Sequence, residues 1–244
     1  MKGQKLKVLS KKIEMKYLFL VIVALASFQT ASFCQDMTAL VNKVKAKLDK
    51  VNDYVAEGNM KTDVIFIKAP VGRVKVYFKR PNRFKLKRDG GISILPKGGV
   101  TINMTTLIEG DHFTAFAVGD AVVNGTKVKV VKLFPTTENS DVVLSTLYID
   151  EANLLILKAA TTTKENGSFE IEMNYGKYMA YALPDKVVFS FNTKDYKMPK
   201  GVALEFDDEE KLTDAERIKR KKGRVQINYS SYTINKGLDE AVFK

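Results

Sequence analysis

Two residues stand out first as carriers of chemistry: His112, the single histidine, in Gly110-Asp-His-Phe113, and Cys34, the single cysteine. Transition-metal centres draw three or four ligands from His and Cys, so this pair completes no familiar site. A Ser-His-Asp relay needs one imidazole, but no Gly-x-Ser-x-Gly elbow accompanies it. Gly90-Gly91 and Gly98-Gly99 form neither a Gly-x-Gly-x-x-Gly nor a Walker pattern, and glycine here reads as a turn residue. The acidic run Asp207-Asp-Glu-Glu210 lacks the alternating ligands and central glycine of a calcium loop and reads as a solvated charge cluster. Carboxylate pairs for glycoside chemistry arise in space rather than in sequence, and the chain has no Trp to serve as a sugar-stacking platform. These residues describe a binder, with no catalytic residue, metal or cofactor assigned. A hydrolase using hidden carboxylates is the alternative.

The first segment sets the compartment. Lys11, Lys12 and Lys16 precede the apolar run Tyr17–Ala26, and Ser27-Phe-Gln-Thr-Ala-Ser-Phe-Cys34-Gln35 follows it. A basic start, a short apolar stretch and a small-residue cleavage region make a secretion signal. Ten apolar residues rise only about 15 Å as a helix, half of a hydrocarbon core, so the run is a signal rather than a membrane anchor. Met15 is as good a start as Met1. Cleavage after Cys34, with Ser32 and Cys34 as the small recognition residues, leaves a mature chain of residues 35–244 without cysteine. The alternative is a lipid on Cys34 that tethers the protein to a membrane, although the preceding Phe33 is bulky for that processing.

The signal takes six lysines and one glutamate with it, lowering the formal charge from +12 to +7. Such a basic surplus fits nucleic acid in an intracellular protein, and export argues against that partner. Anionic lipid headgroups or an acidic partner protein stay open. The mature length fits one large β domain, read as a monomer with no second domain and no repeat.

The elements that must position any site follow from periodicity. Val41, Val44, Leu48 and Val51 recur at helical spacing and predict a helix over Asp36 to Val51, capped by Asp36 or Thr38. Its apolar stripe serves core packing or a movable cover over a cavity. From Thr62 onward the pattern becomes one of strands. Val74, Val76 and Phe78 alternate with Lys75 and Tyr77; Phe169, Ile171, Met173 and Tyr175 with Glu170, Glu172 and Asn174; Val225, Ile227 and Tyr229 with Gln226 and Asn228. One apolar and one polar face mark an antiparallel sheet. Further strands are expected at Val100–Met104, Phe113–Val118, Val128–Phe134, Val143–Ile149, Leu154–Ala160 and Val187–Phe191. Asn124-Gly125 and Asn166-Gly167 are strong hairpin turns. Leu212 to Lys222 is a second helix candidate within a charge-dense loop. About ten strands behind one helix make a mainly β (α+β) fold, a large curved antiparallel sheet or incomplete barrel.

Phe78-Lys79-Arg80-Pro81-Asn82-Arg83-Phe84, leaving one strand and entering the next, resembles the LolA family of periplasmic lipoprotein carriers. Leu147-Tyr-Ile-Asp150, Leu155-Ile-Leu-Lys158, Tyr181-Ala-Leu-Pro184 and the ending Tyr232–Phe243 match the wider lipoprotein-sorting group in the same order. LolA proper continues with Asp-Gly-x-x-x-Trp; here Asp89-Gly90 leads to Ile92-Ser-Ile-Leu-Pro96 with no Trp, which makes the chain a relative of that family.

The resemblance implies an incomplete barrel whose concave apolar face, closed by helices, holds the acyl chains of lipoproteins or other lipids on their way to the outer membrane. Inner- and outer-membrane transport proteins are then partners. It also implies that Arg80 hydrogen-bonds backbone groups of the covering helices and so helps set open against closed, and that Phe84 governs transfer to the receptor. The plain reading of the same residues is that Pro81 ends an edge strand, Arg80 is a surface charge and Phe84 packs in the core. The expected lining is Val74, Val76, Phe78, Ile171, Met173, Phe189 and Phe191, around a cavity or as a filled core. A non-carrier envelope protein of the same fold, such as an RseB-like lipoprotein sensor or an assembly subunit, is the second reading.

Overall fold

The computed structural model describes residues 37–63, 71–81, 83–89, 113–137, 140–164, 167–192 and 222–243. Residues of alternating polarity build one antiparallel sheet from β1 (Asp53–Asp63), β2 (Gly72–Lys79), β3 (Arg83–Arg88), β4 (Phe113–Val123), β5 (Thr126–Pro135), β6 (Val142–Asp150), β7 (Leu155–Thr163), β8 (Gly167–Asn174), β9 (Lys186–Asn192) and β10 (Lys222–Ile234). Their order is β3-β2-β1-β10-β9-β8-β7-β6-β5-β4, so β3 and β4 stand at its two ends and the barrel is not closed. The chain's first strand lies beside its last, β1 against β10 from Tyr54↔Ile234 to Asp63↔Arg224. Among the described residues one α-helix, α1 (Thr38–Leu48), packs on this sheet.

Turn chemistry fixes the registers. Asn124 and Gly125 both take positive φ, 49° and 80°, between the facing residues Val123 and Thr126. That is the backbone a two-residue hairpin needs to follow the strand twist. Asp150 closes the β6–β7 turn, its Oδ1 accepting from the amides of Ala152 and Asn153 at 3.0 and 3.1 Å.

The structure corrects several expectations. Strand structure begins at Asp53, well before Thr62. The apolar period there is hidden because Ala56 and Gly58 occupy inward positions between Tyr54 and Met60. Gly58 sits at a register shift, where a Cβ would come 2.3 Å from the Asn228 carbonyl oxygen. The helix is shorter than expected, and Thr38 is not its cap. Met37 holds the N-cap position without a side-chain bond, and its amide donates to the Ala115 carbonyl of β4 at 3.1 Å. Val51 has left the helix and is buried beside Tyr54. Lys222 opens β10 rather than ending a helix. Residues 1–34, Val100–Met104, His112, Asp207–Glu210 and the rest of the second helix candidate lie outside the described residues.

Candidate functional site

The inward positions of the central strands converge on one apolar face. Across β8, β9 and β10, Ile171 faces Phe189, which in turn faces Val225; Met173 faces Val187 and then Ile227; Phe169 faces Phe191. The rings of Phe169 and Phe189, and of Phe189 and Phe191, lie 5.4 Å apart. Phe191 spreads over Gly223, where a Cβ would come within 2.3 Å of its ring. Val41 and Val44 of α1 insert into this cluster and are 0% and 1% exposed, so the helix seals the face. Fully burying such a side chain is worth about 1.5–3 kcal/mol.

Polar contacts hold the helix at both ends. At its start stands the Met37–Ala115 backbone bond. At its end, Arg80 Nη1 donates to Oδ1 of Asp49, the C-cap residue. Lys47 Nζ donates to the Asn153 carbonyl at 2.7 Å, a cation placed where the helix dipole favours it. Burial and the neighbouring Lys50 lower the Lys47 pKa, opposed by Asp150. The helix is thus strapped to β4, to the turn after β2 and to the β6–β7 turn.

Beside the Arg80–Asp49 pair the face becomes rich in tyrosine. Tyr54, Tyr178, Tyr229 and Tyr232 pack with Phe78, with Tyr54 5.1 Å from Phe78 and Tyr178 4.9 Å from Tyr232 between ring centres. The Tyr232 hydroxyl donates to the Pro184 carbonyl at 2.7 Å. Burial raises the pKa of Tyr54, Tyr175, Tyr229 and Tyr232 above the ordinary tyrosine range.

A second set of bonds fixes the segment leaving α1. Asn235, in the left-handed region at φ 54°, accepts from the Asn52 amide at 2.7 Å and donates to the Lys50 carbonyl at 2.9 Å. The Asp53 carboxylate accepts from the amides of Lys236 and Gly237 at 3.1 Å each. The Arg80 amide donates to the Asn52 carbonyl at 2.8 Å.

Val74, Ile171, Met173, Phe189 and Phe191 therefore belong to the cluster beneath α1, while Val76 and Phe78 belong to the tyrosine-rich one. Phe84 is half-buried against the latter, and Pro81 is exposed. Arg80 meets the Asp49 carboxylate at the helix end, a side-chain partner in place of the helix backbone groups that the resemblance implies. Asp49, Asn153, Asp53 and Asn235 were given no role by sequence reasoning. Asn235 had one usable signal, Asn followed by Lys-Gly at the end of a strand pattern.

A groove of about 640 Å³ also runs over β6–β9, lined by the apolar Leu144, Ala160, Phe169 and Phe191 together with Thr146, Thr161, Thr162, Ser168, Glu170, Ser190 and Asn192. Among the described residues no group of three or more His, Cys, Asp and Glu is placed to hold a metal, and no helix is long and apolar enough to cross a membrane.

No family model matches the sequence, and no curated protein sequence matches it. Solved structures do resemble it. A domain named for outer membrane lipoprotein sorting, from Vibrio parahaemolyticus, aligns with a TM-score of 0.53 and 14% identity over 84% of this chain and 95% of its own. A DUF1329 family protein from Desulfovibrio piger aligns at 0.50 with 12% identity over 86% and 98%. A LolA superfamily protein from Nitrosomonas europaea stands at 0.49 and 9% identity, over 84% and 97%. Alignment with the first two of these structures over most of each chain gives this open ten-stranded antiparallel sheet under a helix the LolA-like fold.

Proposed function

We propose that this protein is an exported carrier that holds the acyl chains of lipoproteins or other lipids against the apolar face of its sheet and helps move them to the outer membrane. The observation that carries the reading is α1 itself, a short helix buried through two valines on an otherwise apolar face and tied down at its ends by a few polar contacts. In the described state the helix closes that face. Lifting it exposes Met60, Ile171, Met173 and Phe189, and an acyl chain that takes its place regains about 0.8 kcal/mol per buried methylene. Cargo and helix then compete for one surface, so a change at the Arg80–Asp49 contact shifts the balance between holding and release.

The completeness with which the chain's own side chains fill the face favours a second reading, a lipoprotein sensor or assembly subunit that never takes up lipid. Transfer separates the two. Vesicles bearing a labelled triacylated lipoprotein are incubated with the protein, and the soluble fraction is assayed. Appearance of soluble lipoprotein in a one-to-one complex supports the carrier; its complete absence, with a crosslinked protein partner recovered from the envelope, leaves the second reading.

A further inference from the structure

The face of β2 and β3 that turns away from the core carries a charge pattern that the carrier reading does not use. From Gly72 to Arg88 the sequence holds Arg73, Lys75, Lys79, Arg80, Arg83, Lys85, Lys87 and Arg88 and no acidic residue. Arg73, Lys75, Tyr77 and Lys79 alternate with the buried Val74, Val76 and Phe78. The register then sets Lys75 opposite Lys87, Tyr77 opposite Lys85 and Lys79 opposite Arg83. Like charges directly opposite one another destabilise a strand pair, so this hairpin carries a cost that the fold does not require. Among the described residues Glu57 meets Lys75 at 2.8 Å, and Glu240 meets Lys79 at 2.8 Å and Arg83 at 3.6 Å, which offsets part of it. The hydrogen bond from Lys79 leads the causes that lower the Glu240 pKa. The corresponding face of β8 presents Glu170 and Glu172 instead, with Lys158 of β7 paired to Glu170 at 3.0 Å.

We infer that this basic face of β2 and β3 is a docking surface for an anionic membrane. Tyr77 sits half-buried at its centre, with Lys87 Nζ 5.6 Å from the ring centre. An amphipathic ring among cations is the composition that settles at headgroup level. Four lysines and two arginines, Arg73, Lys75, Lys79, Arg83, Lys85 and Lys87, stand on this face, and cations of both kinds gathered on one surface are drawn to anionic lipid headgroups. The surface stands independently of what the apolar face binds. Whatever the cargo, it brings the Arg80 turn and the end of α1 close to the bilayer.

The test is co-sedimentation with vesicles of equal parts phosphatidylglycerol and phosphatidylcholine against phosphatidylcholine alone. Because residues 1–34 carry an apolar run and six lysines of their own, the readout is the anionic preference of each variant relative to that of the unaltered protein of the same length. The expected result is a strong preference for the anionic vesicles that weakens with added salt. It should fall on the order of a hundredfold in a variant combining Arg73→Gln, Lys85→Gln and Lys87→Gln. A control combining Lys43→Gln, Lys177→Gln and Lys186→Gln should keep most of it. No anionic preference in the unaltered protein, an equal loss in both variants, or binding to soluble polyglutamate but not to vesicles overturns the inference. Should the first variant not fold, a salt-insensitive preference in the unaltered protein overturns it equally.

Discussion

Arg80, in the turn after β2, donates to the carboxylate of Asp49, the residue that ends α1, and so joins the edge of the sheet to the helix that covers its apolar face. Both side chains are about one-third exposed, so the pair is worth only about 0.2–1 kcal/mol of stability. Its leverage lies in what it restrains. A helix whose departure uncovers the whole apolar cluster changes its open population by up to about fivefold per 1 kcal/mol.

Arg80→Leu and Asp49→Asn should therefore each leave the protein folded and raise amide exchange at Val41 and Val44 by up to about fivefold. The double variant should exchange no faster than either single one, as expected for two halves of one contact. Additive effects, or unchanged exchange, would show that the pair does not govern the helix.

Phe189 and Val122 test which surface is the core. Phe189 is 1% exposed and touches rings on both sides, whereas Val122 is 69% exposed. Phe189→Ala should cost about 3–5 kcal/mol in chemical denaturation, and Val122→Ala less than about 0.5 kcal/mol. Similar costs at the two positions would contradict the assigned faces.

Asn235→Ala removes bonds to both sides of the segment that leaves α1 and leaves alanine at positive φ. A loss of about 1–3 kcal/mol is expected. Asn235→Asp keeps the acceptor for the Asn52 amide but loses the donor to the Lys50 carbonyl, and its thermal midpoint should fall between those of the alanine variant and the native protein.

Alkaline pH tests the tyrosine-rich end. A phenol whose folded pKa is raised contributes stability that is complete below its unfolded pKa of about 10 and is lost as pH rises towards the folded value. Tyr54, Tyr175, Tyr229 and Tyr232 all have raised values caused first by burial. Stability should fall above pH 10 by about 1.4 kcal/mol per pH unit for each phenol that stays protonated. In a spectrophotometric titration Tyr54, Tyr175, Tyr229 and Tyr232 should ionise only as the protein unfolds. Ionisation of these four near pH 10 with the fold intact would contradict this packing.

The sheet was legible where buried side chains are large. Val74, Val76 and Phe78, or Ile171 and Met173, announce a face because each inward position carries an apolar group. β1 was not legible, since Ala56 and Gly58 leave the inward period nearly silent. Arg80 was singled out through a resemblance, but its partner was invisible: Asp49 lies 31 residues away, and only the folded turn selects it from the other acids. The Asn235 contacts join residues more than 180 positions apart, across the pairing of the first strand with the last. Local spacing carries no information of that kind.

The central claim, that acyl chains occupy the face beneath α1, is tested most directly by native mass spectrometry of the protein isolated without detergent from its own envelope, alongside Arg80→Leu. The predicted result is a bound acylated species on the native protein, lost on delipidation and restored by a triacylated lipopeptide, with a changed occupancy in Arg80→Leu. A bare chain mass in every preparation, unchanged by added lipopeptide, would contradict it.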